Sequence, residues 1–281
     1  MRDRFNFRGQ GAMLDSLDCN LCMLGAQGAP VVLSHGYGCD QTVWKDVAPS
    51  LALRHRVVLF DHAGCGGADP ALYDRQRHAR LQGYAEDVIR LLTRLDLGPV
   101  RFVGHSISSM IGALAALERP DLFAELVMIG PSACYLDEEG YHGGFSRDTV
   151  EDLLALMDRN FIGWAASFAP VATGNPDRPD LARDFARRLQ RNDPEIASAF
   201  ARATFFSDTR AFLPLLRVPV LILQSPDDPI APDTAVDFVH RAIPGSRLVR
   251  LDSSGHCPHI SHPQAVAAAL RTAFDTPPPQ A

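Results

Sequence analysis

The stretch from residue 100 to residue 117 limits the possible folds more than any other. Residues 100–103 (Val-Arg-Phe-Val) form an apolar run. It stops at Gly104-His105-Ser106-Ile107-Ser108, and an Ala/Leu-rich pattern of helical spacing follows. An extended segment that becomes a helix within so few residues turns in very little space. Small side chains at Gly104 and Ser108 let the arriving strand and the departing helix approach each other. This strand–turn–helix context is that of a nucleophile elbow, which lifts its apical residue, Ser106, clear of the sheet. A serine hydroxyl is a weak nucleophile near neutral pH and needs an adjacent base. The rest of the chain is therefore expected to supply a base, a carboxylate that orients it, and donors for a developing oxyanion.

Other apolar runs have the same form. Residues 31–34 run into His35-Gly36-Tyr37-Gly38, residues 56–60 into Asp61-His62-Ala63-Gly64, and residues 126–129 into Gly130-Pro131-Ser132; two more runs lie at 218–224 and 247–251. Helical patterns separate them. In the clearest, residues 81–95, Tyr84, Val88, Leu91, Leu92 and Leu95 recur at three- and four-residue steps. Alternating buried strands and helices imply an α/β fold with a mostly parallel sheet covered on both faces. Ligands bind beyond the carboxyl ends of such strands, where the glycine-rich turns fall. Between about 132 and 215 the strand signal disappears and aromatic residues accumulate, with Asp193-Pro194 as a helix start and 174–179 as a loop. The resulting plan is a core of 1–131 and 216–275, an inserted helical lid of 132–215, and a disordered tail of 276–281.

The elbow's partners follow other strands. His256, in Ser254-Gly255-His256 after the last run, is placed at the same sheet edge as Ser106. A neutral imidazole there can accept the serine proton and later return it to a leaving group. Pro226-Asp227-Asp228-Pro229 follows the penultimate run and offers the carboxylate; either aspartate could point inward. The backbone N–H of Tyr37, in His35-Gly36-Tyr37-Gly38, and that of Ile107 are the expected oxyanion donors, each worth ~3 kcal/mol in the transition state. The Tyr37 ring is then expected to overhang the nucleophile. His105 is expected to point away from the reacting face, and His259 and His262 to serve packing or helix capping. Asp61–Gly67 lacks the Gly-Lys-Ser/Thr ending of a phosphate loop and reads as a structural turn.

Composition narrows the function classes. A formal charge of −6 argues against a nucleic-acid groove. Arg183, Arg187, Arg188 and Arg191 read as the solvated face of one helix. No unbroken apolar run reaches the roughly 18 residues of a membrane span, and the polar N-terminus is unlike a signal peptide, so a cytoplasmic location is expected. Six dispersed cysteines do not form a disulfide framework, and Cys19-Asn20-Leu21-Cys22 sits in a short early strand whose alternation parts the two thiols. No converging metal ligands and no cofactor motif are found.

Together these segments resemble the α/β-hydrolase superfamily over almost the whole chain. Residues 35–44, 104–112 and 255–261 are similar to one subgroup, which holds the bacterial sigma-B stress regulator RsbQ and the plant karrikin and strigolactone receptors. So are the lid stretches 130–135, 141–145, 160–164 and 205–210, with Cys-Tyr-Leu and Asn-Phe-Ile-Gly-Trp-Ala closer to the bacterial regulator. Residues 1–12 have no counterpart. The resemblance implies a four-helix lid over an apolar pocket and a triad of Ser106, Asp228 and His256. It also implies pocket aromatics Tyr37, Tyr135, Phe145, Trp164, Phe168 and Phe205. The activity implied is hydrolysis, through an acyl-enzyme, of a small hydrophobic ester or lactone. The alternative is an RsbQ-like signalling role with a protein partner such as a PAS-domain phosphatase. The plant receptors usually carry Phe at the position of Tyr37, whose hydroxyl is expected to make the pocket mouth more polar.

Overall fold

A computed structural model describes residues 19–275; the expectations for 1–12 and 276–281 lie outside the described residues. Among the described residues, seven strands form one sheet: β1 (Cys22–Leu24), β2 (Pro30–Ser34), β3 (Arg56–Leu59), β4 (Val100–His105), β5 (Phe123–Ile129), β6 (Val220–Gln224) and β7 (Arg247–Arg250). Their order is β1-β3-β2-β4-β5-β6-β7. Among the described residues, β1–β3 is the one antiparallel pairing in this sheet. The continuous apolar runs are the central strands. Every residue of β2 and β6 is buried, as a sheet covered on both faces requires.

The helices are α1 (Ala48–Leu51), α2 (Leu81–Leu95), α3 (Ile107–Glu118), α4 (Arg147–Arg159), α5 (Phe161–Thr173), α6 (Pro179–Leu189), α7 (Pro194–Phe205), α8 (Asp233–Ala242), α9 (Pro258–Ser261) and α10 (Pro263–Asp275). In α2 the periodic residues Tyr84, Val88, Leu91 and Leu92 are buried, together with Leu81, Gly83 and Ala85, while Leu95 is partly buried, and the helix stops where Asp96 turns left-handed at φ 46°. Helix α3 is buried on nearly every side up to its last turn, which explains why its sequence carries no charge before Glu118. Among the described residues, no helix is long and apolar enough to cross a membrane.

Between β5 and β6 the chain leaves the sheet and forms α4, α5, α6 and α7. Each of these helices starts as its sequence directs. Ser146 accepts from Thr149 N, Asn160 from Gly163 N, and Asp193 from Glu195 N and Ile196 N, with Pro179 and Pro194 in the first turns of α6 and α7. Cys19 lies in a turn ahead of β1 rather than on the strand, and only Cys22 is on it. Neither is in a disulfide.

Candidate active site

The turn from β4 into α3 is as tight as its sequence requires. Ser106 takes φ 56°, ψ −125°, a conformation that side chains other than glycine rarely adopt. The turn is tied to β5 by Ser106 N donating to Ile129 O at 2.8 Å. A Cβ on Gly104 would run into the Ser108 carbonyl. Gly104→Ala is therefore expected to cost about 3 kcal/mol, read as a lower urea midpoint; an unchanged midpoint would show that the turn can open. Ser108 is fully buried. Its hydroxyl donates to His35 O and lies 2.9 Å from His62 Nε2, which lies 2.9 Å from Ser34 Oγ. The small residue of the fifth motif position thus also ties the elbow to β2 and to the turn after β3.

Ser106 Oγ lies 2.7 Å from His256 Nε2, and His256 Nδ1 lies 2.8 Å from Asp228 Oδ2 and 3.0 Å from Oδ1. All three residues are buried. The backbone of Ile230 and Ala231 donates to Asp228 Oδ1 at 2.8 and 2.9 Å. Asp227 takes the left-handed φ of 54° and faces solvent, which turns Asp228 inward. Aspartate tolerates that conformation better than most residues. The structure thus separates the two aspartates that the sequence left as competitors.

The histidine loop is braced from two sides. His256 N donates to Ala172 O at 3.0 Å near the end of α5. Below it, His105 Nε2 donates to His256 O at 2.7 Å, so His105 points away from Ser106 but supports the backbone of His256. Its Nδ1 faces Gly36, where a Cβ would stand 2.6 Å from the ring nitrogen.

Ile107 opens α3, so its N–H is among those a helix start leaves without an intrahelical partner. Tyr37 lies inside a turn closed by Cys39 N donating to Gly36 O at 3.3 Å. Its hydroxyl corrects an expectation. It donates to Ala197 O of α7 at 3.1 Å and sits 3.7 Å from Met157 Sδ of α4, so it is used up by the helical insertion and adds no polarity to a pocket mouth. The other aromatics expected to line a pocket form two groups. Trp164 stacks on Phe161 and Phe168 and meets the Tyr37 ring edge-on. Phe205 meets Tyr135 and Phe145 edge-on. Tyr135 brings more than a ring, because its hydroxyl lies 3.4 Å from Ser106 Oγ. Burial pushes its phenol well up, so it stays protonated.

Sequence reasoning missed Phe200, which meets Tyr37 edge-on and stacks on Tyr84, and Met157. Nothing in the pattern distinguished these two from ordinary helix core. It also read Arg188 as solvated. Its guanidinium is mostly buried and lies 3.3 Å from Asp40, which Arg191 also meets at 3.0 Å. Asp61 behaves as the structural turn residue expected, accepting from Gln41 N, Gly67 N and Asn20 Nδ2 at 2.7–2.8 Å.

Three buried histidines around the site are held neutral. His62, His105 and His259 are all shifted down, in each case by burial first and then by neighbouring histidines, His259 to about 3. The unfolded chain takes up protons on these rings near pH ~6.5, which the folded chain refuses. Their contribution to stability is therefore complete above that pH and lost as pH falls toward the folded values. Each ring adds a slope approaching about 1.4 kcal/mol per pH unit. Urea midpoints should drop steeply from pH 6.5 to 5; a flat profile there would contradict the neutral assignment.

A mostly parallel sheet, a strained serine at the turn after its central strand, and a Ser–His–Asp chain in the order Ser106, Asp228, His256 define an α/β-hydrolase. The family described as the alpha/beta hydrolase fold matches residues 29–263, and the chain belongs to it. It is 39% identical over 241 residues to the "Probable esterase D14L" of Oryza sativa subsp. japonica, covering 85% of this chain and 89% of that protein. It is 38% identical over 252 residues to the "Karrikin insensitive 2 receptor CA" of Petunia hybrida, covering 89% and 93%. Among solved structures, the hydrolase olei00960 from Oleispira antarctica matches with a TM-score of 0.90 at 36% identity, covering 92% of this chain and 96% of that one. These relatives agree with the subgroup to which the elbow and the 160–164 stretch are similar.

Proposed function

We propose that the protein is a serine hydrolase that cleaves small, mostly hydrophobic esters or lactones through an acyl-enzyme on Ser106. The observation that carries this reading is the unbroken chain from Ser106 Oγ to His256 to Asp228, at 2.7 and 2.8 Å. His256 Nε2 takes the proton as Ser106 Oγ attacks the substrate carbonyl. Asp228 keeps the Nδ1–H tautomer and faces the imidazolium that forms. The negative charge that develops on the carbonyl oxygen is met by the N–H groups of Tyr37 and Ile107. His256 then protonates the leaving alcohol, or the ring oxygen of a lactone. It next deprotonates the water that releases the acid and restores Ser106. The protonated Tyr135 hydroxyl is a further donor within reach of the reacting atoms.

Helices α4 to α7 act as the lid, and their aromatic rings define a substrate with an apolar body and a single reactive carbonyl. No step calls on a cofactor. None of the six cysteines is in a disulfide, which suits a reducing compartment, the cytoplasm. A panel of p-nitrophenyl esters of increasing acyl length and simple butenolides tests this reading. Turnover of short acyl esters and lactones, falling with acyl length, is expected. Absence of both turnover and acyl adducts across the panel would contradict it.

A second reading is favoured by the petunia relative, whose name is that of a receptor. In it the same chemistry is slow, and the ligand-dependent state of the lid is passed to a protein partner such as a PAS-domain phosphatase, as RsbQ-like signalling would require. Fast turnover with release of free product favours the metabolic role. Few turnovers, with ligand-dependent binding of the phosphatase, favour the signalling one.

A further inference from the structure

We infer that Asn192 and Arg188, at the corner joining α6 to α7, are positioning residues that hold the oxyanion loop in its working geometry. This rests on the proposal that the Tyr37 N–H is an oxyanion donor.

The loop from Gly36 to Thr42 is fixed to the core at both ends. It leaves β2 after Ser34, and Gln41 N donates to Asp61 Oδ1 at 2.7 Å. Its middle turns instead to the insertion. The Asn192 amide donates to Gly38 O at 2.9 Å while also donating to Arg188 O and Leu189 O at 3.1 and 3.0 Å, so one side chain closes the end of α6 and grips the loop. The Arg188 guanidinium lies 3.3 Å from Asp40 Oδ1 and also donates to the Thr42 hydroxyl. Asp40 caps the turn that follows, accepting from Thr42 N at 2.9 Å. Leu189 packs so closely on Gly38 that a Cβ there would collide with it. Finally, the Tyr37 hydroxyl reaches Ala197 O.

These contacts bear on the residue whose N–H is to meet the oxyanion. Gly38 follows it directly, and Gly38 at φ 68° makes the backbone direction sensitive to small rotations. The Arg188–Asp40 pair is about five-sixths buried on both sides, at 17% and 16% exposure, so salt screens it less than a surface pair. Arg191 is mostly exposed and should matter little. Misalignment would weaken interactions that exist only in the transition state, leaving ground-state binding largely intact.

The test compares Asn192→Ala, Arg188→Met and Arg188→Lys with the wild type. It reads kcat and KM on p-nitrophenyl acetate and the Ki of an alkyl trifluoromethyl ketone, whose serine adduct carries an oxyanion. Removing an oxyanion donor outright typically costs 10²–10³-fold, so losing a support should lower kcat about tenfold. The ketone Ki should rise by a similar factor, KM should stay within about twofold, and Arg188→Lys should recover part of the loss. If Asn192→Ala does not fold, the Arg188 pair carries the test alone. Variants whose kcat and Ki match the wild type, or that change only KM and thermal stability, would overturn the assignment and leave the hydrolase reading standing. A wild type that neither turns over the ester nor binds the ketone would overturn both.

Discussion

Ser106→Ala is expected to lower ester turnover by about 10⁴-fold or more while leaving the protein folded. The size follows from the arrangement of the site. Ser106 is the atom at which the bond to substrate forms, and the imidazole 2.7 Å away has no other nucleophile held at the apex of the elbow. The fold should tolerate the change because alanine keeps the Cβ, and the left-handed strain at φ 56° is the same for both residues. Only the hydrogen bond to His256 and the longer contact to Tyr135 disappear. Such losses are usually worth about 1 kcal/mol. Circular dichroism and thermal melting should therefore match the wild type within a few degrees. Turnover that survives within tenfold would mean that another group attacks the substrate.

Asp228→Asn is expected to cost about 10⁴-fold in kcat, the scale seen when a triad carboxylate is replaced by its amide. The cause is the tautomer. Asp228 accepts the His256 Nδ1–H and thereby leaves Nε2 as the acceptor facing Ser106. An asparagine at this position can turn its NH₂ toward Nδ1, which moves the imidazole proton to Nε2 and leaves no base. The backbone donors Ile230 and Ala231 make that orientation the favoured one, since they need an oxygen facing them. Asp227→Asn should leave kcat within about twofold, because that side chain is exposed and asparagine also tolerates a left-handed φ. If Asp227→Asn were the damaging change, the chain would have to cross this turn differently.

Much of this was legible in the sequence because the signals are local. The apolar run, the small residues and the helix pattern at 100–118 leave little freedom, and β4 and α3 fall where they indicate. The convergence of Ser106, Asp228 and His256 was readable because each follows a strand run, and a parallel sheet brings all such turns to one edge. The choice between Asp227 and Asp228 was not readable from pattern, because it depends on one backbone φ in the turn. The outcome for the Tyr37 hydroxyl was hidden for a different reason. Its partner is a main-chain carbonyl 160 positions away, and no spacing rule reaches that far. Arg188 misled for a related reason. Arg183, Arg187 and Arg188 on α6 and Arg191 just past its end look solvated in the sequence, yet only the docking of this segment against the loop decides which of them is covered. Helix contents were written in the chain; which faces meet was not.

The central claim, that Ser106 becomes acylated during turnover, is open to one direct measurement. Wild-type protein mixed with p-nitrophenyl butyrate, quenched in acid within the first turnovers and weighed intact, should gain the mass of one butyryl group. Peptide mapping should place that group on Ser106, and Ser106→Ala should show none. Turnover without any adduct when release of the acid is slowed by low temperature, or an adduct on a different residue, would contradict the mechanism.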